Sequence, residues 1–146
     1  MRIRHNTLRG GILLGLLVGT LIWLWLWAVD AIVGQPFRTF SMLGGVARFT
    51  VVHYTLCCLY GIAAVAVVHR AAREPPLLII AAFVFILLET GFAILTAVLQ
   101  QIGLGQLAWV RIMGGNLIGA AVTVIVLAKT HPLREELRRA GEEPDV

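Results

Sequence analysis

The sequence is poor in charge: Asp, Glu, Lys and Arg make up 14% of its 146 residues, where a soluble domain carries about 25%. Cysteine is scarce as well. The two present, Cys57 and Cys58, are adjacent in an apolar run and fit no Cys-x-x-Cys, zinc or haem-attachment spacing. They read as small hydrophobes and say nothing of redox compartment. Catalytic signatures are missing too. No H-E-x-x-H, G-x-S-x-G, P-loop or dinucleotide-binding glycine pattern occurs. Gly10-Gly11 and Gly44-Gly45 fall at helix ends and follow no strand. The reading leans away from an enzyme without excluding one, since membrane enzymes can use scattered polar residues. We assign no catalytic residue, metal ligand or cofactor.

What the chain has instead is apolar surface. Hydrophobic residues make up 59% and the mean hydropathy is +0.88. A soluble chain this short cannot hide that much in one core, so lipid is its natural solvent. The pI near 9.8 and net charge of +4 raise the question of nucleic acid. That partner is set aside because the basic residues flank apolar runs and form no basic domain face. Insertion topology and anionic lipid at the cytoplasmic face account for them better.

Four apolar runs stand out. Residues 10–29 carry no charge, and Asp30 ends that run. Residues 49–68 are interrupted by His53, residues 77–99 hold the single charge Glu89, and residues 107–128 hold the single charge Arg111. Each has about the 20 residues needed to cross hydrocarbon. The expected fold is an all-α membrane protein, an antiparallel up-down four-helix transmembrane bundle with spans at about 10–32, 47–69, 76–100 and 106–128. Residues 1–130 form its one domain, and 131–146 a polar cytoplasmic tail in which Glu135 and Arg139 can pair at i,i+4. The first run is longer than a signal-peptide core and no small-x-small cleavage site follows, so it reads as a retained anchor. Arg2, Arg4, Arg9, Arg70, Arg73, Lys129, Arg134, Arg138 and Arg139 fall on one side, against Arg38, Arg48 and Arg111 on the other. This nine-to-three split puts both termini in the cytoplasm.

Trp23, Trp25, Trp27 and Trp109 fall at the opposite, outer level and read as an aromatic belt anchored in lipid. The outer segment "GQPFRTFSMLGG" (34–45) reads as an interfacial loop, with Thr39 or Ser41 capping an early start of the second span. Gly11, Gly15 and Gly19 form one small-residue stripe, and Gly115, Gly119 and Thr123 another. The plainer expectation is contact between spans one and four; the sharper is homodimerisation through one stripe.

The polar residues within the spans share levels. With ~1.5 Å rise per residue, Glu89 and Asn116 both lie ~15 Å inside the outer turn, near midplane. His53 and Arg111 lie ~7 Å inside, and Asp30 and Arg48 mark the outer boundary. Glu89, Asn116, His53 and Arg111 are therefore a candidate intramembrane polar cluster. A carboxylate facing lipid costs about 2.5–3.5 kcal/mol on insertion scales, so Glu89 should face the bundle or a wet cavity. Asn116 can bond it, and Arg111 can serve as a counter-ion. Yet five residues at ~100° separate Arg111 from Asn116 by ~140°, so both cannot aim at Glu89. His53 is a candidate haem ligand, proton relay or packed imidazole. Bis-histidine ligation lacks a second histidine at its level, because His5, His69 and His131 belong to the cytoplasmic edge.

The string "VDAIVGQPFRTFSMLG" (29–44), with the later "ETGF" and "GGNLIGA", resembles a recurrent feature of small four-span bacterial membrane proteins of uncharacterised activity. The resemblance covers most of the chain. It implies a bacterial inner-membrane protein and brings no activity or catalytic residue. Three functions stay open. One is a structural or accessory subunit that oligomerises or docks on a larger membrane complex. The second is a proton-coupled transporter or channel centred on Glu89. The third is a haem- or quinone-binding redox component using His53.

Overall fold

The computed structural model describes residues 3–71, 74 and 76–130, with side chains from Thr7 onward except that of residue 78. Among them the chain is all-helical. Three helical stretches, Thr7–Ile32, Val46–Ala71 and Ile79–Thr130, are long and apolar enough to cross a membrane, which fits a membrane protein. The third spans 52 residues because helical turns run almost continuously through it. Within it lie two α-helices joined by a short irregular turn. The expected Glu135–Arg139 pair, and Arg2, Arg73, His131, Arg134 and Arg138, lie outside the described residues.

Helix α1 (Ile3–Ile32) has no proline to interrupt it. It stops where Gly34 takes φ 72°, and the amide of Gln35 donates to the Asp30 carbonyl at 2.9 Å. Pro36 then prevents resumption. The segment expected to be a loop contains a five-residue helix, α2 (Arg38–Met42), entered through Phe37 in the left-handed region. Thr39 and Ser41 therefore do not cap the second span. Ser41 Oγ donates to the Phe37 carbonyl within α2 at 3.0 Å. Gly44 and Gly45, at φ 101° and 93°, turn the chain into α3 (Val46–Ala71). Helix α4 (Pro76–Leu99) opens on proline, whose missing N–H is tolerated in a first turn. A π turn and a 3₁₀ turn across 100–107 lead into α5 (Ala108–Thr130).

Helix α1 packs between α3 and α5. Its glycine stripe meets α3 and not the fourth span. A Cβ on Gly11 would lie 2.5 Å from Ile62 Cα, and one on Gly15 would stand 2.5 Å from Cys58 Cα. From α3, Gly61 answers: a Cβ there would collide with the Gly11 carbonyl and lie 2.7 Å from the Gly15 amide nitrogen. Close helix approach of this kind holds membrane helices together where lipid is as apolar as the side chains. Gly19 is looser, with the Cys57 and Tyr54 side chains beside it. The second stripe does meet α1, but on a different face. Gly115 and Gly119 receive Ile22, and Gly119 also receives Val18. Both stripes are thus occupied within one chain. Leu14, Val18 and Val65 form the core between the three helices.

At the α2 end, Leu99, Leu104 and Ala108 form a second small core. An aromatic layer runs beside it, with Phe40 between Trp23 (4.9 Å) and Phe49 (5.1 Å). Two of the expected belt tryptophans point inward. Trp23 Nε1 donates to Thr50 Oγ1 at 3.0 Å and Trp25 Nε1 to the Val110 carbonyl at 3.1 Å. Trp27 and Trp109 stay exposed. Helix α4 is peripheral. Of its described side chains only Thr96 and Leu99, both near its C-terminal end, are buried.

Candidate functional site

Two polar clusters exist, and the candidate residues divide between them. The first is built at the α2 end. Asp30 ends the uncharged stretch of α1, and the Gly34–Pro36 turn brings Thr39 back to it. The Thr39 amide donates to Asp30 Oδ2 at 2.7 Å and the Thr39 hydroxyl to Oδ1 at 2.8 Å. The carboxylate thereby satisfies a free N–H in the first turn of α2, a task that a capping side chain usually performs. Phe37, at the capping position, makes no such bond.

Arg111, in the first turn of α5, completes this cluster. Its Nε lies 2.8 Å from Asp30 Oδ1, an ionic contact without hydrogen-bond alignment. Its Nη1 donates to the Leu104 carbonyl at 2.9 Å. Arg111 is 1% exposed and Asp30 0%. Taking two ions out of water is costly unless they are paired and bonded, and removing one partner of such a pair costs about 3–5 kcal/mol. Arg111 is therefore the counter-ion of Asp30. The expectation that it could neutralise Glu89 is corrected. Five residues of helix separate it from Asn116, and it points at α1 and α2 instead.

Beside the pair lies a cleft of about 410 Å³, lined by Gln35, Arg38, Gly103, Leu104, Gln106 and Arg111 among others. Arg38 Nη2 donates to the Gly103 carbonyl at 2.7 Å, which ties α2 to the turn before α5. Gly103 itself takes φ 150°, open chiefly to glycine. Arg48, expected at the same boundary, is exposed on the first turn of α3 and makes no ion pair among the described residues.

The second cluster lies between α4 and α5. Asn116 Nδ2 lies 2.9 Å from both Glu89 Oε1 and Oε2 and donates to them. Twenty-seven residues of continuous helix would separate the two by ~40 Å, so the chain doubles back between α4 and α5. Both side chains are half-buried. The other polar side chains of α4 are turned to its own backbone: the Thr90 hydroxyl bonds the Ile86 carbonyl and the Thr96 hydroxyl the Phe92 carbonyl.

His53 belongs to neither. Its Nε2 lies 3.0 Å from the Gly19 carbonyl, which can only accept, so Nε2 carries the proton. The ring stacks on Phe49 at 5.1 Å, with Tyr54 edge-on at 5.7 Å. The imidazole thus fastens α3 to α1. Among the described residues no group of three or more His, Cys, Asp or Glu gathers to hold a metal.

Sequence reasoning placed Asp30 and Arg111 one level apart without joining them, and it missed Thr39 as their third member. The available signal was electrostatic. Each is the lone charge bounding or entering an apolar run, and opposite lone charges at neighbouring levels are within reach of pairing. Comparison of the chain with family models, curated proteins and solved structures finds no match.

Proposed function

We propose that the protein is a four-span, non-catalytic subunit of the bacterial inner membrane that docks through α4 on another membrane chain. Helices α1, α3, α4 and α5 run 30, 26, 24 and 23 residues, each enough to cross ~30 Å of hydrocarbon. The reversal between α4 and α5 supports four crossings in up-down order. Four crossings return the chain to its starting side, and the nine-to-three basic split favours the cytoplasm for both termini. The basic residues on that side suit anionic lipid.

The observation that carries the docking reading is Glu89. It sits mid-helix on α4, half-buried, with Asn116 as its hydrogen-bond partner. A carboxylate has about four acceptor sites, and one amide nitrogen serves both oxygens. The side chains around it, such as Phe85, Ile86 and Phe92, are exposed. Left in lipid, an ionised carboxylate costs about 2.5–3.5 kcal/mol. A second membrane chain on this face withdraws Glu89 from lipid and supplies the donors it lacks.

Native mass spectrometry of the protein taken from its own membrane in polymer-bounded lipid discs tests this. A complex of defined stoichiometry is expected, with an Ile86→Cys variant crosslinking to the partner. An isolated monomer in native membrane would overturn the reading.

A second reading, proton-coupled transport, is favoured by the same half-buried carboxylate. It draws less support because the α4 hydroxyls bond their own helix and the flanking residues are apolar. Reconstituted protein with Glu89→Gln separates the two: loss of proton flux supports transport, and loss of the complex alone supports docking.

A further inference from the structure

Two nitrogens of Arg111, Nε and Nη2, are buried without a hydrogen bond among the described residues, and of these only Nε has an ionic contact, to Asp30. Arg111 Nη2 is thus the group left without a partner among those residues. The remainder of the guanidinium is held by Asp30 and the Leu104 carbonyl. A buried charged donor without a partner is costly, and Arg111 is also a wall of the 410 Å³ cleft. The second charged wall is Arg38, a cation as well. Arg38 is exposed; its Nη2 donates to the Gly103 carbonyl, and its other N–H groups have no hydrogen-bond partner among the described residues. Asp30 does not line the cleft, and its two oxygens are already taken by Thr39 and Arg111. The cleft wall therefore carries two arginines and no carboxylate, with Asp30 behind Arg111 as its counter-ion. The amides of Gln35 and Gln106 add neutral donors.

We propose that this cleft binds a phosphate-type oxyanion, with Arg111 Nη2 and Arg38 as its charged donors. Guanidinium forks match the spacing of phosphate oxygens. The cleft lies at the helix ends, which the four-span reading puts at the level of lipid phosphates, so a lipid headgroup and a free phosphate are both chemically suited. The site is independent of α4 and of whatever docks there.

The test uses purified full-length protein in detergent, titrated with inorganic phosphate, with phosphatidylglycerol, or with diacylglycerol, which lacks the phosphate. Binding is followed by native mass spectrometry and by thermal stabilisation. Saturable binding of phosphate or phosphatidylglycerol, and none of diacylglycerol, is expected. Binding of inorganic phosphate identifies a free anion as a ligand; binding of phosphatidylglycerol alone identifies a headgroup. Arg38→Gln should weaken either by at least about tenfold, the loss of a charge-assisted contact. Arg111→Lys keeps the charge beside Asp30 but loses the fork, and should weaken binding similarly. If Arg111→Lys does not fold, the exposed Arg38→Gln variant carries the test alone. No saturable binding of either phosphate probe, or binding that a folded Arg38→Gln protein retains in full, would overturn the proposal.

Discussion

Arg111 and Asn116 stand five residues apart on α5 and meet opposite fates. Arg111 is 1% exposed and joins an aspartate, a carbonyl and, through the aspartate, a threonine. Asn116 is half-buried and bonds one glutamate. The difference comes from their neighbours. Arg111 faces the crowded end, where α1, α2 and the turn before α5 converge. Asn116 faces α4, which leans on the bundle from outside. A polar group in a membrane helix is enclosed according to how many elements surround its face of the helix, and two residues ~140° apart sample different surroundings. One cluster has its charges paired within the chain. The other is left open toward whatever lies beyond α4.

The most direct way to break this contrast is to open the closed cluster. Arg111→Gln leaves Asp30 buried without its counter-ion and should cost about 3–5 kcal/mol. Asp30→Asn should cost a similar amount. The double variant should cost less than the sum, because the two act as one unit. Reversible unfolding in mixed micelles measures all three. Additive costs would mean that the two residues act separately.

A smaller loss is expected at the open cluster. Asn116→Leu removes the hydrogen-bond partner of Glu89 and exposes its carboxylate to apolar surroundings, a cost of about 1–3 kcal/mol. If this variant proved as damaging as Arg111→Gln, the half-buried pair would be as much a fold determinant as the buried one. Smaller again is Thr39→Val, which removes one of two bonds to Asp30 and keeps the backbone amide. The expectation is about 1 kcal/mol, since the remaining donors still hold the carboxylate.

These magnitudes track what could be read in the sequence. The apolar spans were legible because hydrocarbon thickness sets a length that composition reveals directly. The depth of Glu89 and Asn116 was legible for a related reason, since helical rise converts residue number to height. Angular relations between helices were not. The α1 stripe at Gly11 and Gly15 was visible, but its mate on α3 is the single Gly61, flanked at spacings of four by Cys57 and Val65. No repeated small-residue motif marks it. The level of Trp23 and Trp25 suits lipid anchors, whereas the grooves that receive them depend on helix rotation. The α2 helix was hidden by its length. Five residues cannot nucleate alone, and what holds Arg38–Met42 is the remote carboxylate of Asp30 together with the packing of Phe40.

The smallest stability effect is expected for Glu89→Gln, and it tests the contrast most sharply. The new amide keeps an oxygen that can accept from Asn116 Nδ2 and gains two donors of its own. It also removes a charge that lipid opposes. The isolated protein should therefore change by less than about 1 kcal/mol, in either direction. The same neutral side chain at Arg111 should be severely damaging. Where the variant should fail is in company, because a partner that donates to a carboxylate on α4 loses its charge-assisted bond and about 1.5–3 kcal/mol of association. Unfolding of the isolated protein and native mass spectrometry of the membrane complex, run on the same Glu89→Gln preparation, read these two quantities separately. A stable monomer that no longer assembles places the function of Glu89 outside the chain. A variant that unfolds as readily as Arg111→Gln would instead make Glu89 a second internal lock, and the distinction between the closed and the open cluster would fail.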